Sequence, residues 1–300
     1  MDMEIVKKDR STYRMSDYGV VYDFVVGSIQ MESFSERAEG RFGMVNYGAD
    51  YTFRTIKVPM KFKIAEMHEF AHMRDELYAI LTDTDGYYIR EMRRPKRLQY
   101  EFVNFGETPK WADQTANEYV DGKQYFVRLS STIEPEQIYN GGEIELEFDT
   151  IELPFGESIY TSTELDATRL NSEANKYSLT DGVHQDFTSN KGTQSLFDIY
   201  NAGTVTVQPE SMYIKITIKN VDSTDGFSLK NLSTGDIFEY KERLVGRDLV
   251  IEGVQVKVGA INVLRSTNRQ FISLKPGKNN FHLSGAGFSE IIVDFKYYYK

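Results

Sequence analysis

Residues 68–72 read H-E-F-A-H, and no other short stretch of this 300-residue chain has residue types so well suited to chemistry. On a helix, His68 and His72 would lie four residues apart on one face, with Glu69 beside them. Zinc peptidases use this arrangement to bind a metal ion through the two imidazoles and to position a general base. The motif therefore raises the hypothesis of a catalytic zinc site at these three residues.

A hydrolytic zinc ion also needs a third protein ligand, and the sequence offers none in a suitable context. The continuation M-R-D-E-L-Y-A-I lacks the third histidine of the compact motif. Glu91 and residues 117–121 have possible spacing, but both lie among predicted strands and loops. His184 and His282 lie in other segments. We interpret the HEFAH motif as fortuitous, on the solvent face of a structural helix, and predict no metal site.

Other catalytic templates lack support as well. The chain contains no cysteine, which excludes thiol nucleophiles and disulfide frameworks. It has neither a G-x-S-x-G nucleophile elbow nor a glycine-rich loop followed by a lysine and a helix. We therefore predict no catalytic residue, no cofactor and no enzymatic activity.

The charge balance argues against nucleic acid as a binding partner. Acidic residues number 45 and basic residues 35, a net charge of −10 that repels phosphate backbones. We interpret the short basic cluster at 93–97 as a solvated turn. The N-terminus has no apolar core, and no run of 18 apolar residues occurs, so we expect neither a secretory signal nor a membrane span.

Most of the chain alternates apolar and polar residues with period two, which is typical of half-buried strands. Turn signals at 233–236, 245–248 and 276–277 separate the runs, as in antiparallel sheets of a sandwich. The apolar positions predicted to point inward are Ile144, Leu146 and Phe148; Ile214, Ile216 and Ile218; Val254, Val256 and Val258; and Ile291, Val293, Phe295, Tyr297 and Tyr299.

Residues 63–82 break this pattern, because their apolar side chains recur at helical spacing. A second change occurs at 155–195, where Ser, Thr, Asn and Asp dominate and periodicity is weak. We interpret the start of that stretch as an interdomain connection, and the remainder as loops with one or two short strands. The chain length predicts two domains, 1–157 and 158–300. The predicted apolar arc of the helix consists of Ile64, Met67, Phe70, Ala71, Leu77, Tyr78 and Leu81.

Several segments taken in order resemble the distal tail proteins of bacteriophages with long, non-contractile tails. Each segment is weakly specific alone, but their order and spacing cover nearly the whole chain. They are Y-D-F-V-V-G-S-I-Q at 22–30, E-G-R-F-G through K-F at 39–62, K-Q-Y-F-V through L-P-F at 123–155, F-D-I-Y-N through I-K-N at 197–220, and F-I-S-L-K through K-Y-Y-Y-K at 271–300.

The resemblance implies a mainly β fold, with an N-terminal β-sandwich carrying one packed helix at about 64–82 and a C-terminal galectin-like antiparallel β-sandwich. It also implies a structural virion protein at the tail tip, made in the host bacterial cytoplasm. The N-terminal domains would form a hexameric ring between the tail tube protein and the tail-associated tip protein. DNA would pass through the ring without sequence-specific binding. Receptor-binding or other baseplate proteins would dock on the C-terminal domain.

The segment 39–54 is a candidate arm for contacts between subunits, with an ordinary surface hairpin as an equal alternative. Its glycines, including Gly48, allow sharp turns, and Arg41 offers a fork of donors to a neighbour's carboxylate. Acid-faced strands such as residues 143–148 would suit the lining of a DNA channel. A carbohydrate-binding sandwich that contacts the host cell wall is an alternative function, and a zinc peptidase is a remote one. The predicted interface residues are Gly40, Arg41, Phe42, Gly43 and Tyr47.

Overall fold

The computed structural model describes residues 1–93, 118–119, 122–165, 183 and 190–300. The chain divides into two compact units, Met1–Gly156 and Glu157–Lys300. Within the described residues the fold is mainly β, with antiparallel sheets and one α-helix, α1, at Phe70–Leu81. The predicted fold class is confirmed. No helix in these ranges is long and apolar enough to cross a membrane.

The first unit is built on one antiparallel sheet. Along its main path the strand order is β2-β1-β6-β8-β9-β5-β3, while β4 pairs with β5 and β7 pairs with β6. The strands are β1 Asp2–Val6, β2 Thr12–Arg14, β3 Gly19–Val21, β4 Val25–Glu36, β5 Val45–Lys63, β6 Tyr87–Arg93, β7 Glu118–Tyr119, β8 Lys123–Leu129 and β9 Gly141–Thr150; β10, Gly156–Ser158, begins at the end of this unit.

The predicted alternation in β9 is confirmed, because Ile144, Leu146 and Phe148 are all buried. Val58 on β5 pairs with Leu146, which places apolar side chains of both strands in one core. Each fully buried side chain of this size contributes about 1.5–3 kcal/mol to stability. The helix α1 adds Leu77 and other side chains to the same core.

The predicted start of the helix is wrong. Strand β5 extends to Lys63, and a 3-10 turn at Met67–Glu69 precedes α1. Met67 is 62% exposed, Ala71 is exposed, and the buried helical residues are Leu77, Ile80 and Leu81. Helical periodicity does not detect this boundary, because alternating strand residues and the first helical residues both present apolar side chains at short spacing.

The second unit contains two antiparallel sheets, with strand orders β11-β20-β13-β16-β17-β18 and β12-β19-β14-β15. Buried apolar side chains from both sheets form its core, as predicted for a sandwich. The strands are β11 Lys191–Gly192, β12 Leu196–Asn201, β13 Ile214–Ser223, β14 Phe227–Asn231, β15 Ile237–Tyr240, β16 Leu244–Glu252, β17 Gln255–Val258, β18 Ile261–Asn262, β19 Gly277–Ser284, β20 Glu290–Phe295 and β21 Tyr298–Tyr299.

Two local predictions in this unit are wrong. Val254 is 44% exposed, because it follows Gly253 in the turn between β16 and β17. Residues 245–248, predicted as a turn, lie inside β16. The register between β16 and β13 shifts there, next to Asn220, whose φ is 50°. The inward positions of β13 and β20 are confirmed as buried. The turn at 276–277 is also confirmed, since Gly277 has a φ of 83°.

The predicted connection after residue 155 is held along the C-terminal strands. The Ser158 amide donates to the Tyr297 carbonyl at 2.8 Å, and the Ser162 amide donates to the Phe295 carbonyl at 2.7 Å. The Thr163 hydroxyl donates to an Asp294 carboxylate oxygen at 2.6 Å. Residues 158–163 are therefore part of the second unit. Residues 166–182 and 184–189 lie outside the described residues.

Candidate interaction site

Strands β4 and β5 form a two-stranded hairpin that extends past the rest of the sheet. Strand β9 pairs with β5 only from Thr55 onward, so residues 45–54 of β5 pair with β4 alone among the described strands. We call residues 29–54 the arm. Ten residues of strand span roughly 30 Å. Arg54 is buried and the Tyr51 ring lies edge-on to Phe155, so only the part of the arm beyond these residues projects past the edge of β9.

The arm exposes large apolar side chains along its length. An isolated two-stranded hairpin is marginally stable in water, and exposed apolar patches of this kind mark interaction surfaces. The arm therefore has the properties of a surface that is covered in an assembly. Its exposed apolar residues are Met31, Phe34, Phe42, Met44, Tyr47 and Tyr51.

The tip of the arm, residues 37–44, contains most of the residues predicted from sequence to contact another subunit. Gly40 and Gly43 have φ values of 78° and 81°, which a glycine adopts without strain. Phe42 is fully exposed, and Arg37 and Arg41 have no ion-pair partner within the described part of the chain. The predicted turns of the tip are confirmed, whereas its role in contacts between subunits stays a prediction.

Tyr47 and Gly48 lie on β5 just beyond the tip. The Tyr47 hydroxyl donates to a Glu36 carboxylate oxygen at 3.2 Å across the hairpin. Gly48 has a φ of 112° but pairs with Phe34 inside β5, next to a shift in register, so it does not turn the chain. Tyr47 therefore helps to join the two strands of the arm, while its ring stays largely exposed.

An open groove of about 710 Å³ lies at the opposite end of β5. Phe62 is fully buried beneath it, and the loop at 134–143 forms its rim. Ile138 and the neighbouring Tyr139 are 65% and 83% exposed. The lining includes three acidic residues, Glu134, Glu136 and Glu143, and one basic residue, Lys61. The groove thus combines exposed apolar side chains with an excess of negative charge.

The groove depends on a glycine at position 142. A Cβ atom there would lie 1.9 Å from the Glu136 carbonyl oxygen and 2.5 Å from the Phe62 ring. The backbone of the rim can therefore approach β9 only because Gly142 has no side chain. Ile138 and Gly141 exchange hydrogen bonds of 2.6 and 3.2 Å, which closes a tight turn with Tyr139 at a φ of 54°. A positive φ is unfavourable for an aromatic residue.

The face between arm and groove carries charges of both signs. Lys57 lies 3.7 Å from Glu145 and hydrogen-bonds to Glu147, while Lys61 pairs in register with Glu143. The hydrogen bond to Glu147 and the negative charge of that residue raise the pKa of Lys57. This face is therefore a mixed one, in contrast to the acidic surface expected from β9 alone. The pattern of β9 alone does not reveal Lys57 and Lys61, because they lie on β5, about ninety residues earlier in the chain.

The three residues of the zinc hypothesis lie in the 3-10 turn before α1 and in the first turn of α1 itself. His68 lies in the 3-10 turn, 3.2 Å from a Glu66 carboxylate oxygen, and His72 is exposed on α1. One carboxylate oxygen of Glu69 accepts the backbone amides of Ala65 and Glu66 at 3.2 and 3.3 Å. Glu69 thus completes a capping box at the start of the helical segment.

The distant residues considered as a third zinc ligand are described only in part. Glu91 accepts a hydrogen bond from the Arg93 side chain at 2.5 Å on β6. In the ranges the structure describes, no three potential ligand residues form a cluster that could hold a metal ion. His184, residues 94–97 of the basic cluster and most of 117–121 lie outside the described residues.

Comparison with known proteins identifies the family of the first unit. Residues 13–150 match the family described as phage tail protein, RIFT-related domain. The sequence has no significant match among curated proteins.

A solved structure of a phage protein shows a similar fold over nearly the whole chain. The crystal structure of the Dit protein (gp 19.1) of phage SPP1, described as a paradigm of hub adsorption apparatus in phages that infect Gram-positive hosts, is 12% identical. The match has a TM-score of 0.63 and covers 99% of this chain and 98% of that one. A chain of the phage p2 baseplate in its activated conformation with Sr is 10% identical, with coverage of 98% and 97% and a TM-score of 0.43. The first unit therefore matches a phage tail family, and the chain shares its fold with the Dit protein of phage SPP1.

Proposed function

We propose that the protein is a non-enzymatic structural component of the tail tip, where six copies form a ring around a channel for DNA. The ring would join the tail tube protein to the tail-associated tip protein. The observation that carries this proposal is the fold similarity, over nearly the full length of both chains, to a Dit protein described as a hub. The protein would be synthesised in the cytoplasm of the host bacterium and incorporated into the virion.

The two units would have separate roles in the assembly. The first unit, which contains the match to the phage tail family, would form the ring and use the arm as a subunit contact. The second unit, a galectin-like sandwich, would dock receptor-binding or other baseplate proteins. Burial of the apolar side chains of the arm would favour association.

The overall charge fits a channel that DNA crosses without adhering. Each chain has a net charge of −10, so a ring of identical copies repels phosphate groups at long range. This argument rests on the whole molecule, because the face at Lys57 and Glu147 is of mixed charge.

The alternative of a carbohydrate-binding module receives no specific support. Such a module needs exposed aromatic rings on a sheet. Among the described residues of the second unit, Tyr213 is the only aromatic side chain classed as exposed, at 37%, and its hydroxyl donates to Asp294 at 2.9 Å. The zinc peptidase alternative is likewise left without a ligand set in the described residues.

Native mass spectrometry of the purified full-length chain tests the proposed ring and measures bound zinc in the same spectrum. We expect a species of about 208 kDa, six times the 34.6 kDa chain, without metal. If the protein forms the ring only on the tail, the same species should appear after addition of the tail tube and tip proteins. A chain that stays monomeric with both partners present would contradict the proposal. Zinc at one ion per chain would revive the peptidase hypothesis.

A further inference from the structure

We propose that, in the ring, the tip of one subunit's arm seats in the groove at the far end of β5 in the next subunit. Phe42 would pack against Ile138, and Arg41 would bind the carboxylates of Glu134 and Glu136. This inference rests on the proposed ring and names the surface that receives the arm.

The length of β5 excludes an intramolecular contact. The tip precedes Val45, the first residue of the strand, and the groove lies at Lys61 and Phe62, near its end. A strand of 19 residues spans about 60 Å at ~3.3 Å per residue. No arm can therefore reach the groove of its own chain, and the occupant must come from a second molecule.

A second copy of this chain is the occupant whose geometry fits a closed ring. Rings require two different, complementary patches on each subunit, because one patch of each copy meets the other patch of its neighbour. The tip and the groove are two such patches, held at opposite ends of one continuous strand. A repeated contact between them would link every subunit to the next in the same direction.

The charges of the two patches are complementary. The tip carries Arg37 and Arg41, neither of which has an ion-pair partner in the described chain, together with one acidic residue, Glu39. The groove carries three glutamates against one lysine. Glu134 and Glu136 are exposed and also lack ion-pair partners within the described ranges. A guanidinium group binds carboxylates through paired hydrogen bonds, which fixes orientation as well as affinity.

The apolar parts of the two patches match as well. Phe42 is the most exposed large apolar side chain in the described chain, and the groove presents Ile138 at its rim. The volume of about 710 Å³ lies within the range of sites that enclose small ligands, roughly 300–1,000 Å³. The groove can therefore accept an aromatic ring together with part of an arginine side chain.

Disulfide trapping tests the contact directly, because the natural chain contains no cysteine. One full-length chain would carry Phe42→Cys, and a second, distinguishable by an affinity tag, would carry Ile138→Cys. After mixing and mild oxidation, we expect mixed disulfides between the two chains to exceed both homodisulfides by at least tenfold. The matched control pairs Phe42→Cys with Ile261→Cys, an equally exposed position in the second unit, and should give no enrichment.

Charge exchange provides an independent test. Arg41→Glu and Glu136→Arg should each reduce the hexamer fraction at least tenfold, and their combination in one chain should restore most of it. Arg243→Glu, at an exposed arginine of the second unit, should have no effect. Circular dichroism would verify that each variant is folded.

The outcomes separate the two proposals. If the natural chain forms hexamers but neither the disulfide pair nor the charge exchange behaves as stated, the contact between tip and groove is wrong and the ring proposal stands. If the natural chain forms no ring even with the tail tube and tip proteins, and no mixed disulfide appears, both proposals are wrong.

Discussion

Asp236 organises one end of the second sandwich through a single carboxylate oxygen. Its Oδ2 atom accepts the Ser273 amide at 2.9 Å, the Ser273 hydroxyl at 2.5 Å and the Thr234 hydroxyl at 2.7 Å. Partial burial raises the pKa of Asp236, but the hydrogen bonds from Ser273 and Thr234 outweigh it, and the net shift is downward from 3.8. The charged form is therefore favoured in the folded state.

This shift predicts a specific loss of stability in acid. The folded pKa lies below the unfolded value, so the contribution is complete above about pH 4 and is lost as the pH falls through the folded pKa. We expect Asp236→Asn to lower the free energy of unfolding at pH 7. The difference in this free energy between the variant and the natural chain should shrink as the pH falls. Urea midpoints measured from pH 7 to the acid range would show this. Asp225→Asn, at an exposed position, is the control, and a difference independent of pH would contradict the argument.

Glu69 provides a second prediction, which separates a capping residue from a zinc ligand. Glu69→Ala removes the acceptor for two backbone amides and should cost about 1 kcal/mol of unfolding free energy. The double variant His68→Ala, His72→Ala should change stability by less than about 0.5 kcal/mol, because both side chains are exposed. Urea unfolding with and without zinc distinguishes the two roles. Stabilisation by zinc that requires both histidines would overturn this assignment.

At the scale of the elements, the sequence predicts strands better than their ends. Ile144, Leu146 and Phe148 alternate with three glutamates, and this pattern identifies both the strand and its buried face. The shift in register near Asn220 and the start of α1 at Phe70 could not be predicted in the same way. They depend on hydrogen bonds with distant segments, such as the Ile64 amide that donates to the Asn140 carbonyl at 3.0 Å.

The candidate site was only half predictable for the same reason. The glycines of the tip, Gly40 and Gly43, signal turns in the sequence, and the exposed Phe42 between them is unusual for a solvated loop. The groove is harder to predict from the sequence, because Lys61 and Glu134 are far apart in the chain. They line the same groove only when β5 and β9 have paired. The segment I-Y-N-G-G at 138–142 contains the one local sign, two apolar residues at a turn.

The arm predicts that folding and assembly can be separated. Met31 and Tyr51 pair across the hairpin, so replacing residues 32–50 by Asn-Gly would join them through a two-residue turn. The core strands are unchanged, and the substitution also removes the facing acidic residues Glu32 and Asp50, whose charges repel. We expect a melting temperature within a few degrees of the natural value.

Native mass spectrometry of this shortened chain should show monomers instead of hexamers. The control is the full-length variant Thr52→Ala, which keeps the arm and should assemble normally. The Thr52 hydroxyl donates only within the arm, to the Gln30 carbonyl. If the shortened chain forms the same fraction of hexamers as the natural chain, the arm has no part in the ring.

At the scale of the whole molecule, the net charge predicts weak interaction with DNA. Lysine and arginine contacts to phosphate supply most non-specific affinity, which typically corresponds to a Kd of about 10⁻⁴–10⁻⁶ M. With a net charge of −10 per chain, the assembled protein should show no binding to duplex DNA in this range, even at low salt. Fluorescence anisotropy of a labelled duplex would measure it. A salt-dependent increase in anisotropy would reveal a segregated basic surface.

The continuous strand β5 has a consequence for how a ring would be completed. One continuous strand carries both the patch that a subunit offers and the patch that it accepts, so docking at one end constrains the direction of the other. An incomplete assembly of two to five subunits would keep one unburied tip and one empty groove. The last subunit would bury both at once, so two contacts would offset a single loss of translational and rotational freedom. Assemblies of two to five subunits should therefore be rare. A dilution series should contain monomers and complete rings with few species of intermediate size.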